Sequence, residues 1–273
     1  MTDHGERPLP NRAQAGLWDG WPDLAGCRDS SVGGVDEEQR SVSRQPLLSR
    51  ACLDLRAPWH VVVSAKSLDQ AKSRLAQLGE RERRALAAGM AEDVIDAVVC
   101  AQSVARVVVV CGDPVLNRMA RAYGADVVPD PCNGLNAAFR HGMEAAAEEG
   151  ARICLLAADL ACLTPQLIDG VLARAARHES AVVPDLAETG TTMLTSGPWP
   201  VTRPQFGPGS FRRHVAAGAE PIAFDLLEAR CDVDTPEDLR LALRLGVGRR
   251  TAAAALDGMR PAHGLQREAP WSE

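Results

Sequence analysis

Residues 152–165 read RICLLAADLACLTP. The apolar run 153–158 suits one buried strand and is far too short to cross a bilayer, which takes roughly 20 residues. Asp159 follows the run directly, and Thr164 with Pro165 then supplies a helix cap and a proline at the first helical position. A buried strand that hands over through a loop to a capped helix is half of a βαβ unit. The same pattern extends to both sides of it.

Upstream, 60–65 is predicted as the first strand, 106–111 as a buried strand and 126–128 as a short one. Between them, 81–101 carries Leu86, Met90, Val94, Ile95 and Val98 at three- and four-residue spacing, which makes an amphipathic helix. Further helices are predicted over 114–123, stopped at Gly124, and over 136–148. Downstream, the helix opened by Thr164 is expected to reach about 178, with strands at 181–183 and 191–195. Thr235, Pro236, Glu237 and Asp238 then open a last helix that Gly246 closes. This alternation predicts an α/β fold: a single domain with a mostly parallel sheet and helices on both faces.

At 273 residues the chain is long for one ordinary domain and short for two, so dispensable ends are expected. Residues 1–58 are rich in Gly, Pro, Ser, Asp and Arg without a sustained period. They read as a mobile extension, or as the product of a translation start placed too far upstream. Residues 249–273 read as a tail that frays. The ordered domain is therefore expected over 59–248. Lys and Arg number 30 against 36 Asp and Glu, a net charge of -6, which offers no footprint for nucleic acid. The polar start lacks the apolar stretch of a secretory signal, which predicts a cytoplasmic protein without membrane attachment. Eight cysteines are scattered with no CxxC pair, against zinc and against a disulfide framework.

Four segments could carry chemistry. SAKSLDQAKSRL, residues 64–75, follows the first strand, where ligands of parallel sheets bind. Lys66, Lys72 and Arg74 there could hold a polyphosphate, or form a solvated basic loop. No GxGxxG and no GxxxxGK[ST] occurs. PDPCNGLNAA, residues 129–138, makes a rigid turn whose Asn133 and Asn136 could read a purine edge, though an ordinary helix entry explains it as well. Asp159 at the mouth of a buried strand suits a hard divalent ion such as Mg²⁺, or a plain turn. CDVDTP, residues 231–236, adds Asp232 and Asp234, one to ligate and the other to serve structure. Gly190, Thr191 and Thr192, with FGPGS at 206–210, could place main-chain N–H groups against a small anion, or be two surface turns.

In order, AKSLDQAKSRL, DPCNGLNAA, LLAADL, TGTT, PQFGPGS and CDVDTPEDL resemble the guanylyltransferase family that makes the activated phospho-acid precursor of the deazaflavin coenzyme F420. The resemblance covers about 59–248. It implies a glycosyltransferase-A-like nucleotidyltransferase fold, GTP as donor and Mg²⁺ as cofactor. The implied acceptor is 2-phospholactate, phosphoenolpyruvate or 3-phosphoglycerate, and the implied product passes to the next enzyme of the pathway. A homodimer is one option for assembly. By motif, Asp159 and Asp232 are the implied metal-binding and catalytic aspartates. Thr191, Gly207 and Ser210 match positions for the phospho-acid, and Lys66, Lys72, Arg74, Gly134 and Asn136 are implied at the nucleotide. Two departures bear on the acceptor. Ala161 with Cys162 stands where a proline is common, and Gln205 where an arginine is frequent. A small residue for a proline leaves room for a hydroxyl, a lean toward 3-phosphoglycerate. The rival readings are a relative using another nucleotide or loading a pterin or sugar phosphate, and a silent nucleotide-binding protein.

Overall fold

In a computed structural model of the protein, residues 57–69, 72, 74–75, 78–148, 150–197 and 202–259 are described. The proposed extension therefore lies outside the described residues except for Ala57 and Pro58, as does the tail beyond 259. The described elements follow in chain order: β1 (Trp59–Ala65), α1 (Glu80–Val99), β2 (Val104–Cys111), α2 (Pro114–Ala122), β3 (Asp126–Val128), α3 (Leu135–Ala146), β4 (Arg152–Ala157) and α4 (Pro165–Ala175). Then come β5 (Ser180–Pro184), β6 (Thr191–Ser196), α5 (Ser210–Ala216), β7 (Glu220–Pro221), α6 (Leu227–Arg230), α7 (Pro236–Leu245) and α8 (Arg249–Met259).

The strands form one sheet in the order β3-β2-β1-β4-β6-β5-β7. β1 is parallel to both β2 and β4, β2 to β3, and β5 to β7, while β6 runs antiparallel to its neighbours β4 and β5. The strands are near-continuous apolar runs because both faces are covered. Val61, Val63, Val109 and Leu156 enter one core with α1, α2 and α4, whereas Val62, Val108, Val110 and Leu155 enter a second core with α3. Helices on both faces follow directly from this two-sided burial. The helix starts are fixed locally. Asp113 accepts from the Val115 and Leu116 N–H groups ahead of α2, Thr164 accepts from Leu167 N–H, and Thr235 and Asp238 form a reciprocal capping box.

Two expectations need correcting. The helix after Thr164 ends at Ala175 rather than near 178, because Arg177 and His178 turn back in tighter i to i+3 bonds to Arg174 and Ala175. The segment from 249 onward was expected to fray, yet 249–259 is helical and packs on α1. Asp93, buried on α1, accepts from the N–H groups of Arg250 and Thr251, so α1 caps the first turn of α8. Gly89 permits that approach, since a Cβ there would lie 2.9 Å from the Arg250 carbonyl oxygen. No helix among the described residues is long and apolar enough to cross a membrane.

Candidate active site

Chain order runs from β1 outward to β2 and β3, then returns to place β4 on the other side of β1. The carboxyl ends of β1 and β4 therefore flank a topological switch point, where open α/β sheets leave a crevice. A cavity of about 480 Å³ opens there. Lys66, Lys72 and Arg74 reach it from the loop after β1, and Asp159 from the end of β4. Thr191 comes from the start of β6, Gly207 and Ser210 from the loop into α5, and Asp232 from the segment before α7. Asp234 and Asp185 also line it.

The acidic segments are joined through the main chain. Val233 N–H donates to the Asp159 carbonyl at 3.2 Å, which brings together residues 74 positions apart. Lys72 Nζ donates to Asp159 Oδ2 at 2.8 Å and to Asp234 Oδ1 at 3.4 Å, and Arg74 lies 3.8 Å from Asp234 Oδ2. Burial works against the Lys72 ammonium, but Asp159 and Asp234 outweigh it and hold its pKa above the ordinary lysine value. Burial likewise works against the charged form of Asp159, and Lys72, then Lys66, overcome it and keep this carboxyl below the usual carboxylate range. Asp232 is the opposite case. Burial, then the charges of Asp159, Asp234 and Asp185, push it up to about 7, and no lysine, arginine or histidine among the described residues pairs with it.

A partly buried carboxyl repelled by three others suits a divalent cation, which would relieve that repulsion. Among the described residues no three His, Cys, Asp or Glu side chains gather to enclose an ion. Mg²⁺ is commonly held by one or two carboxylates together with substrate phosphates, so Asp159 and Asp232 fit such a partial shell.

Two turns also line the cavity. Asp185 accepts from Thr189 N–H at 2.9 Å and Gly190 N–H at 2.7 Å, which ties the β5–β6 hairpin. Gly207 and Gly209 adopt φ of +121° and +73°, backbone that a side chain would strain. Arg213 donates to the carbonyls of Pro208 and Gln205, at 2.7 and 2.9 Å, and holds this loop in place. Thr191 Oγ1 and Ser210 Oγ meet at 3.1 Å between the two turns.

Gly134 and Asn136 are not on the cavity wall, although Leu135 between them is. Asn136 was expected to meet the nucleotide; in the free chain its side chain is engaged by the loop before α5. Its Nδ2 donates to the Phe206 carbonyl at 3.0 Å and its Oδ1 accepts from Phe206 N–H at 2.7 Å, so the amide is spent holding the FGPGS loop to α3. Gly134 caps α3 with φ +84°, and its carbonyl accepts from Ala137 and Ala138. The two departures noted in the sequence also lie off the wall. Ala161 and Cys162 are buried among Val233, Leu239 and Ala242. Gln205 turns its N–H to His214. The room inferred for a hydroxyl is therefore filled core, and the lean toward 3-phosphoglycerate loses its basis. Asp185 and His214, which the sequence did not single out, organise the two turns. Neither sits in a recognisable spacing, because their partners are main-chain groups and a hydroxyl contributed by the fold.

Comparison with known proteins adds family-level findings. Residues 59–254 match the family model described as "Guanylyl transferase CofC like". A phosphoenolpyruvate guanylyltransferase of Streptosporangium roseum is 43% identical over 198 residues, 71% of this chain and 89% of the relative. Proteins of the same name from Thermomonospora curvata and Streptomyces coelicolor are 42% and 44% identical, over 74% and 72% of this chain and 90% and 95% of theirs. A crystal structure of a putative nucleotide-diphospho-sugar transferase from Desulfovibrio desulfuricans superposes with a TM-score of 0.58 at 16% identity, over 73% of this chain and 94% of that one. At that identity the likeness speaks for the fold.

Proposed function

Because the chain belongs to the CofC-like guanylyl transferase family, and is thereby a nucleotidyltransferase, we propose that it moves GMP from GTP to the phosphate of a three-carbon phospho-acid. Phosphoenolpyruvate is the first acceptor to test, since it is the one in the printed names of relatives above 40% identity. One observation carries the proposal. A single cavity is lined by the cations Lys66, Lys72 and Arg74, by the aspartates Asp159 and Asp232, and by Thr191, Gly207 and Ser210 from two glycine-containing turns.

The chemistry asks little covalent work of the protein. A phosphate monoester has a second pKa of about 6, so near neutrality the acceptor is already a dianion and needs no general base. One of its oxygens bonds to the α-phosphorus of GTP as the bond to the bridging oxygen of the β-phosphate breaks, and pyrophosphate leaves. Lys66, Lys72 and Arg74 bind the triphosphate in this reading and steady the charge that builds on the leaving group. Thr191, Ser210 and the main chain at Gly207 hold the acid so that its phosphate faces the nucleotide. Asp159 and Asp232 would hold Mg²⁺, which when bound would supply charge neutralisation at the phosphates. The product is an activated phospho-acid of the kind that feeds coenzyme F420 assembly, to be handed to the next enzyme there.

Pyrophosphate release should be followed with GTP and Mg²⁺ plus each of phosphoenolpyruvate, 3-phosphoglycerate and 2-phospholactate, in a coupled assay because such adducts are unstable. Release is expected only with an acid present and fastest with phosphoenolpyruvate. Asp159→Ala should cut turnover by a few hundredfold, on the order of 3–4 kcal/mol. No release with any acid, where an authentic relative is active, would overturn the proposal.

A further inference from the structure

His214 lies on α5, fully buried, with its ring edge-on to Phe206 at 5.3 Å between centroids. Its two nitrogens face different partners. Gln205 N–H points at Nε2 from 2.9 Å, and Thr191 Oγ1 lies 3.0 Å from Nδ1. A main-chain N–H can only donate, so Nε2 must carry its lone pair and the proton of the neutral ring must sit on Nδ1. Nδ1–H therefore donates to Thr191 Oγ1. Ser210, only 1% exposed, brings its own hydroxyl to 3.1 Å from the same oxygen. A hydroxyl has two acceptor sites and one proton. With Nδ1–H in one of those sites, the Thr191 proton turns away from the ring, toward the cavity that Thr191 and Ser210 both line.

We propose that His214 is a positioning residue for the acid subsite: fixed as the Nδ1–H tautomer by Gln205, it turns the Thr191 hydroxyl into a donor aimed at a carboxylate or phosphate oxygen of the substrate. The proposal rests on the phospho-acid reading and deepens it. A neutral ring is essential, because a second proton on Nε2 would confront the Gln205 N–H and dislodge the loop that leads to Gly207. Burial, then the neighbouring Arg213, hold the His214 pKa down to about 4, so the ring stays neutral at working pH. The same ring thus joins both anion turns, Thr191 from the hairpin and Gln205 from the FGPGS loop.

Two measurements test this. Long-range ¹H–¹⁵N correlation spectra of the free protein at pH 7 should show His214 protonated on Nδ1 and bare on Nε2. The opposite tautomer or an imidazolium overturns the assignment. In steady-state guanylyl transfer, His214→Leu should raise the KM for phosphoenolpyruvate about tenfold or more, the loss of one hydrogen bond to a charged acceptor, while the KM for GTP stays within about twofold. His214→Asn, whose amide can donate from the Nδ1 position, should recover most of the loss. Equal rises in both constants, no rise, or no recovery in a folded Asn variant overturns it. Failure of the functional reading would look different: the wild-type protein itself would turn over no acid. The spectra, which need no substrate, would then still decide the tautomer.

Discussion

Among the carboxyls with a shifted pKa, Asp232 is the one whose charge the fold resists. Its carboxyl is raised from 3.8 to about 7 by burial and then by Asp159, Asp234 and Asp185, so the folded chain holds a proton there that the unfolded chain has given up. A group with a raised acid pKa stabilises the fold progressively as pH falls from 7 toward 4 and costs stability above 7. In metal-free buffer, Asp232→Asn should therefore be more stable than wild type by about 2–4 kcal/mol at pH 8, with the gap closing toward pH 5. Urea melts at both pH values check this, and a gap independent of pH would show that Asp232 does not titrate in that range. His214 runs the other way. Its folded pKa of about 4 lies below the ordinary 6.5, so its contribution is complete above pH 6.5 and is lost as pH falls toward 4. The two slopes oppose each other between about pH 4 and 6.5, so melts of the wild type alone would hide both, and the variant is needed to expose either.

At the scale of elements, α8 is held from outside itself. Its first turn is capped by Asp93 of α1, and Arg250 reaches Glu92 at 2.7 Å and Asp96 at 3.2 Å on the same helix. Asp93→Ala should release α8 and cost about 2 kcal/mol, since it removes a cap and leaves two N–H groups without their acceptor. Raised hydrogen exchange confined to 249–259 would show the release, and unchanged protection there would count against it. This also explains what the sequence could and could not reveal. Strands β1, β2 and β4 and the helices after Asp113, Thr164 and Thr235 were legible because their signals are local: apolar runs, caps and prolines at the first turn. Helix α8 was not, because its cap comes from a residue 158 positions away. Strand β7 has two residues and no period to read. Among the residues that line the cavity, Lys72 and Asp159 were singled out by type in the segments after β1 and β4, and Asp232 by the acidic CDVDTP segment ahead of a capped helix. The task of Asn136 stayed hidden because its partner, the Phe206 main chain, is 70 residues on.

At the scale of the molecule, the switch point between β1 and β4 gathers cations and carboxylates from distant parts of the chain, so ligand binding should stabilise the whole fold. With GTP and Mg²⁺ at about 100 times their apparent Kd, linkage adds about 2.7 kcal/mol, roughly 5–10 °C in Tm for a domain of this size. Thermal melts should show the shift with GTP and Mg²⁺ and a much smaller one with GTP and EDTA. An EDTA-insensitive shift would contradict cation-assisted binding. EDTA alone should leave the Tm of the unliganded protein unchanged, because the bond from Val233 to the Asp159 carbonyl closes the acidic edge without any ion. That link is peptide to peptide and indifferent to either side chain. A lineage can therefore exchange one acid for another residue and still keep the gap between the two loops, so ion preference is free to drift while the frame that measures it is inherited intact.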